Sequence, residues 1–493
     1  MKKIKNFIRI IVFIFLLFVV ICASSVVLRR KDSDYKYSDF FKEAKESHID
    51  VLFLGSSHVI NGINPVVLYE DYGITSYNMG GHGSLLQASY WELIESLTVC
   101  TPKWVVVDAY MLEKNVQYLD SRAAFDSEDE VNTSIEQLHL NMDKWPLDKL
   151  KVAAINDLIE DNDVKNQFLF DFIVYHNRWK NLDRNDYATL TGNADENFLF
   201  GGELRYNVDL DVTTYPELTE ADLLTEHTVG AEYLMKIIDE CQRRGIGVAV
   251  TYLPFSAETK DKAAAVKAGE IAATYDVPYI NMLELGIVDM QADLNDTGHL
   301  NATGAAKVSD YLGKWLMDTG DLADHRNDEE YEHWQNNVSE YKNELKSALL
   351  SEENLYNKIN LLSMDEFGFV LYVNDDSGIF DDDSMKHLVE NISGTDKIEN
   401  SEGPYILIKD SQSGVSEASG EEILSGVVTA LGTLTYQPVE HRFRFLYPAE
   451  DESINYLYDD SHIDEDIQLI IYDPESGEII SHEYYNSYGM EYR

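Results

Sequence analysis

Cysteine is nearly absent, with three in 493 residues, too few for the disulfide framework that staples small secreted domains. Cys100 and Cys241 sit in helix-like contexts and read as two buried thiols. Cys22 lies inside an apolar run and reads as membrane packing, because the large Ile21 before it does not suit lipid attachment. Basic residues are also scarce. The chain has 39 Lys and Arg against 88 Asp and Glu, and seven of the basic residues fall in the first 31 positions, which hold no acid. Residues 32–493 thus carry 32 basic against 88 acidic side chains, a net charge of −56. Such a surface repels phosphate backbones and excludes nucleic acid as a partner, while it suits the solubility of an exported domain. Acidic pairs are present, at Asp375-Asp376 and Asp381-Asp382-Asp383, but they lack the spacing of a calcium loop and read as solvated turns. Neither a metal nor a cofactor is expected.

One long apolar run is present, at the N-terminus. Ile10 through Leu28 carry no charge, and about 20 such residues cross a bilayer. Lys2, Lys3, Lys5 and Arg9 precede the run and Arg29, Arg30 and Lys31 follow it, so the flanking charges favour a cytoplasmic N-terminus only slightly. Small residues around Cys22-Ala23-Ser24 would permit cleavage as a signal peptide. The run exceeds the roughly 7–15 residues of a signal core, which favours an uncleaved anchor over residues 1–31, followed by a polar linker over 32–48.

From residue 49 to 325, apolar runs alternate with helical patterns, which predicts an α/β domain with a parallel sheet and crossover helices. Strands are expected near 50–55, 74–78, 103–108, 246–253 and 277–281. Val229, Tyr233, Leu234, Ile237, Ile238 and Cys241 recur at three and four within 226–244, and Gly245 closes that helix. A second helix is expected over 257–275. Val308, Leu312, Trp315 and Leu316 form the core face of a closing one.

The first strand, Val51-Leu52-Phe53-Leu54, ends at once in Gly55-Ser56-Ser57-His58, a sharp turn at the carboxyl end where open α/β sheets bind ligands. A serine there needs a base within reach and a third group to orient that base. Asp296 and His299, three apart in a turn before a helix, supply both types. Asn78-Met79-Gly80-Gly81-His82-Gly83-Ser84 follows the second strand.

At these residues the chain resembles the SGNH/GDSL hydrolases. Gly55-Ser56-Ser57 is similar to the block that carries the nucleophile, Asp296-x-x-His299 to the block that carries its partners, and Asn78 to Ser84 to the second block. The resemblance implies a flavodoxin-like three-layer α/β/α domain over about residues 48–320. It also implies Ser57, Asp296 and His299 as the triad and a backbone N–H of Gly83 in the oxyanion hole, with Gly81 the second choice. The family's third block, Gly-x-Asn-Asp, has no counterpart: Trp104-Val105-Val106-Val107-Asp108 runs on into Ala109-Tyr110-Met111. A relaxed third block is similar to the membrane-tethered branch of the family, with the teichoic acid D-alanyl transfer and alginate-type O-acetylation proteins. That likeness implies an extracytoplasmic enzyme O-acylating a cell-envelope or exported polysaccharide, supplied by a multi-pass membrane acyltransferase. A carbohydrate esterase using the same triad, and a non-catalytic glycan-binding or scaffold protein, are the alternatives.

The predicted domain is interrupted by an insertion over 109–225, which holds Tyr175-His176-Asn177-Arg178-Trp179. Long insertions beside a site act as lids or substrate walls, and Asn78, His176, Arg178 and Trp179 are the candidate substrate contacts, since sugars stack on aromatic faces and bond to planar donors. Ordinary packing and surface pairing account for the same residues. Residues 326–360 read as an amphipathic helical linker, with Tyr331, Trp334, Val338, Tyr341 and Leu345 on one stripe. It is expected to pack across a domain junction or pair with another chain. An acidic β-rich α+β accessory domain is expected over 361–493, with strands at 369–373, 405–408, 467–472 and 478–485 and a hairpin turn at Asp473-Pro474-Glu475-Ser476-Gly477.

Overall fold

Val51–Leu54 form β1, and all four side chains are fully buried. Successive side chains of a strand point to opposite faces, so both faces of the sheet are covered at this point, as parallel sheets require. The computed structural model describes residues 2–485 except 30–34, 122–126, 171, 192–195, 212, 375–376, 402, 440–441, 449–453 and 457–465. Asp375 and Asp376 therefore lie outside the described residues. The chain divides into two compact units. The first comprises Met1–Glu203, Thr214–Ile287 and Ala305–Val338; the second comprises Leu204–Thr213, Val288–Gly304 and Ser339–Arg493.

In the first unit, β1 is joined by β2 (Ser76–Asn78), β3 (Trp104–Asp108), β4 (Gly247–Tyr252) and β5 (Tyr279–Asn281). All pairings are parallel and the order is β2-β1-β3-β4-β5, the flavodoxin-like order whose switch point lies between β1 and β3. The five strands fall where the apolar runs predicted them. Crossovers are helical, and the one over Val229–Arg244 shows why the sequence marks it so clearly. The Thr228 hydroxyl accepts from the Ala231 N–H at 3.1 Å, and Gly245 ends the helix at φ +73°, a left-handed conformation suited to glycine.

The unit begins with α1 (Lys2–Leu28), which is long and apolar enough to cross a membrane, a property that a span and a signal sequence share. Next come α2 (Tyr35–Glu46) and α3 (Ser57–Gly62). Glu43 on α2 accepts from the Trp334 indole at 2.9 Å, and the Trp334 ring stacks on Phe200 at 3.6 Å. Burial of Tyr331, Trp334, Val338, Tyr341 and Leu345 matches the stripe expected of the helix over Glu332–Ser351. All three cysteines are free thiols.

The second unit holds a short antiparallel pair, β6 (Leu294–Asp296) with β7 (His299–Leu300). It also holds β8 (Gly368–Val373), β9 (Tyr405–Asp410), β10 (Gly414–Ser419), β11 (Leu424–Thr429), β12 (Gly432–Val439), β13 (Arg442–Pro448), β14 (Ile454–Tyr456), β15 (Ile467–Tyr472) and β16 (Ile479–Tyr485). One antiparallel sheet runs β10-β9-β8-β15-β16 and another runs β11-β12-β13-β14. Val370, Tyr372, Ile406, Ile408, Ile470 and Tyr472 of the first sheet are packed with Leu434 and Tyr436 of the second. The β15–β16 hairpin turns at Asp473–Gly477, where the Gly477 N–H donates to the Asp473 carbonyl at 2.8 Å.

Candidate active site

The turn after β1 is built by close approach of backbone. Gly55 lies at φ +153°, and a Cβ there would stand 2.6 Å from Val59 Cγ2 and 3.0 Å from Asp108 Cβ. Only glycine lets β1 and the carboxyl end of β3 come together in this way. Ser56 then caps α3, its hydroxyl accepting from the His58 N–H at 3.2 Å. Ser57 is the first helical residue. Within residues 51–69, Ser57 alone is not buried. The serine is therefore the accessible residue of an otherwise closed segment, at the carboxyl end of β1 and beside the switch point.

The loop after β2 wraps this turn. Asn78 is fully buried, donates to the Val59 and Ile63 carbonyls at 2.7 and 2.8 Å, and accepts from the Gly80 N–H at 3.1 Å. It was expected among substrate contacts; here its amide ties α3 to the loop. The Gly81 N–H donates to the Gly55 carbonyl at 2.9 Å. Gly83 is part-exposed at φ +54°, and a Cβ there would collide with the Gln137 side chain. Asn141 clamps the residue between these glycines, accepting from the His82 N–H and donating to the His82 carbonyl, both at 2.9 Å. His82 Nε2 is 3.4 Å from Glu203.

At the end of β3, where the resemblance would place an Asn, stand Asp108, Ala109 and Tyr110. Asp108 Oδ1 accepts from the Leu253 N–H at 3.0 Å, while Oδ2 is buried with no hydrogen-bond partner among the described residues. Burial pushes this carboxyl up to about 7, against the opposing pull of the Leu253 and Tyr110 amides. The Tyr110 ring stacks on His58 with centroids 3.7 Å apart, and Phe255 meets both rings edge-on at 5.2 and 4.5 Å. Tyr110 and Phe255 carry no motif, and their only signal in the sequence is their position just after β3 and β4.

Asp296 and His299 lie in the second unit, on the tight turn between β6 and β7. His299 Nδ1 is 2.8 Å from Asp296 Oδ1, which also accepts from the Gly298 N–H at 2.9 Å, and Asn295 donates to Oδ2 at 2.9 Å. Partial burial raises the Asp296 carboxyl, but the Gly298 amide, Asn295 and His299 outweigh it and hold the group below its usual value. Nδ1 is thus the ring nitrogen turned to the carboxylate.

Behind this turn stands Asn301, which is buried. Its amide donates to the Ala292 and Asn207 carbonyls at 2.7 and 3.1 Å, and its oxygen accepts from the Thr303 hydroxyl at 2.7 Å. Sequence reasoning gave Asn301 no role. Its place just ahead of the helix over Ala302–Thr319 is a capping signal.

His176, Arg178 and Trp179 are brought to the C-terminal end of α1. Arg178 Nη1 donates to the Leu28 carbonyl at 3.1 Å and to the Arg29 carbonyl, and Nη2 pairs with Asp186 at 2.9 Å. His176 Nδ1 is 2.8 Å from the Ile173 carbonyl. Among the described residues no group of three or more His, Cys, Asp or Glu side chains is arranged to hold a metal ion.

No protein-family model matches this chain, and no curated protein is similar enough in sequence to count as a relative. Fold and geometry define the class: an α/β protein with a five-stranded parallel sheet, an outward-facing serine at its switch point, and a carboxylate-oriented histidine on a separate turn.

Proposed function

We propose that the protein is a membrane-anchored, extracytoplasmic serine acyl-transfer enzyme of the SGNH type. The observation that carries this reading is Ser57, the one accessible residue in a buried turn at the carboxyl end of β1, beside the switch point of the sheet. In the reaction, Ser57 Oγ attacks an acyl carbonyl carbon while His299 Nε2 takes the hydroxyl proton, and Asp296 holds the imidazole at Nδ1. The tetrahedral oxyanion is met by the N–H groups of Ser57 and Gly83. The Gly81 N–H is spent on the Gly55 carbonyl, which favours Gly83 between the two glycines. Collapse of the intermediate breaks the bond to the leaving oxygen, which takes the proton from His299, and an acyl-Ser57 ester remains. A sugar hydroxyl then attacks the ester, His299 again taking the proton and returning it to Ser57 Oγ as the acyl C–Oγ bond breaks, which regenerates Ser57.

The acceptor in this reading is a cell-envelope or exported polysaccharide, and the acyl group arrives from a multi-pass membrane acyltransferase. Support for the location comes from α1 and from the acidic surface that follows it. With water as the final acceptor, the same residues would make a carbohydrate esterase. A non-catalytic, glycan-binding role draws on one observation, the buried Asp108 and the stacked Tyr110 where a third oxyanion donor would be expected.

Labelling the full-length protein with a fluorophosphonate, followed by mass mapping, tests the reading. An adduct on Ser57 that is lost in His299→Ala supports it, and the fate of an activated acyl ester with and without oligosaccharide then separates transfer from hydrolysis. No adduct, under conditions that label a working serine esterase, would move the assignment to the non-catalytic role.

A further inference from the structure

The uncharged run from Ile10 to Leu28 has 19 residues, and about 20 are needed to cross the hydrocarbon layer. A span of that length has no slack, so its last turns must sit at the edge of the apolar layer. Those turns are where α1 ceases to be bare. Ile4 to Ile21 are exposed, Ala23 to Val26 are partly covered, and Val27 and Leu28 are buried. The cover is the helical segment over residues 172–191 of the insertion, within the same unit, whose short helices all pack on α1. Arg178 completes the contact by donating to the Leu28 and Arg29 carbonyls, the groups a helix C-terminus leaves without partners.

This covering segment is itself apolar on its outside. Trp179 is 63% exposed and Phe170 just before the segment is 60% exposed, with Ile173, Tyr187 and Leu190 each at half or more. Large apolar side chains in contiguous chain segments are seldom left to water without a partner, and Trp and Tyr are the residues that favour the membrane–water interface. The charge changes here as well. Residues 170–191 hold three basic side chains, Arg178, Lys180 and Arg184, against three acidic ones, Asp171, Asp183 and Asp186, in a protein whose residues 32–493 carry 32 against 88.

We propose that residues 172–191, together with Phe170, form a collar around the exit of α1 that rests on the outer surface of the bilayer, with Trp179, Tyr187, Phe170, Ile173 and Leu190 inserted at headgroup depth. The occupant of this apolar surface is lipid. The single span alone does not set the orientation of the rest of the unit to the membrane plane; the collar fixes it. The inference rests on α1 being a retained span, as in the reading of function above, and is independent of the chemistry at Ser57.

The test uses full-length protein reconstituted into vesicles of phosphatidylcholine and phosphatidylglycerol, with and without lipids brominated high on the acyl chains. Resistance to alkaline carbonate extraction reports whether α1 spans. Tryptophan quenching by the bromolipids, compared between wild type and Trp179→Phe, reports the collar. The expected result is carbonate-resistant protein whose emission loses a share of the order of one-sixth, given six tryptophans, with that loss absent in Trp179→Phe. Carbonate-resistant protein with no Trp179-dependent quenching overturns the collar, leaves the anchor standing and points to a protein partner for the apolar surface. Release by carbonate overturns both the anchor and the collar. Neither result bears on the chemistry at Ser57.

Discussion

Asn78 and Ser57 stand a few residues apart in space and separate structure from chemistry. Asn78→Ala removes the side-chain partner of the Val59 and Ile63 carbonyls and of the Gly80 amide in a buried place, which is expected to cost about 2–4 kcal/mol. A urea titration would show it as a lowered midpoint with an unchanged slope. Ser57→Ala should leave that midpoint within about 0.5 kcal/mol of wild type while abolishing fluorophosphonate labelling. Asp296→Asn should fall between, folding normally but lowering acyl transfer on the order of 10³–10⁴-fold, because the imidazole loses its orienting carboxylate. Asp108 gives a pH signature. Its pKa is raised in the folded protein to about 7 from 3.8, so the folded state holds a proton that the unfolded chain releases between these values. The stability it contributes is complete below about pH 4 and is lost as pH rises through about 7. Relative to wild type, Asp108→Asn should therefore gain stability on going from pH 5 to pH 8, by a few kcal/mol at most, and thermal melts at the two pH values would show no such gain if the carboxyl is ionised throughout.

At the scale of the element, the five strands of the parallel sheet were readable because each is a short apolar run cut off by a turn residue, and the Val229–Arg244 helix because its stripe, cap and terminal glycine all agree. Gly55 was readable as a turn; that it lets Asp108 approach β1 was not, since contact across strands leaves no local trace. Gly55→Ala should cost about 1–3 kcal/mol through the clash with Val59 and Asp108, measurable as a drop in the thermal midpoint. β10 to β14 escaped the sequence reading for a physical reason. β10 reads Gly-Val-Ser-Glu-Ala-Ser and β11 is broken by Gly426, each with a single buried residue, so neither shows the apolar run or clean alternation that marks a half-buried strand. Of the site, the serine turn and the Asp296–His299 spacing were legible as residue types in sequence order. The stack of His58, Tyr110 and Phe255 was not, because it joins a helix and two turns distant in the chain.

For the molecule as a whole, the dominant property is charge. With 88 acidic and 39 basic side chains, the folded state carries strong self-repulsion that dissolved salt screens over a distance of about 10 Å at 0.1 M. Thermal stability of the detergent-solubilised protein should therefore rise with sodium chloride at neutral pH, and a midpoint that falls or stays level would show that the acids are locally compensated. The order of the large antiparallel sheet has another consequence, one of timing. β8 pairs on one side with β9 and on the other with β15, and 93 residues separate Val373 from Ile467. A ribosome adding about 5–20 residues per second takes roughly 5–20 s to make that stretch. Through this interval β8, all of whose side chains end up buried, presents an open edge of the kind that recruits foreign strands. A nascent chain of this protein is thus most vulnerable late in synthesis, until β15 has emerged.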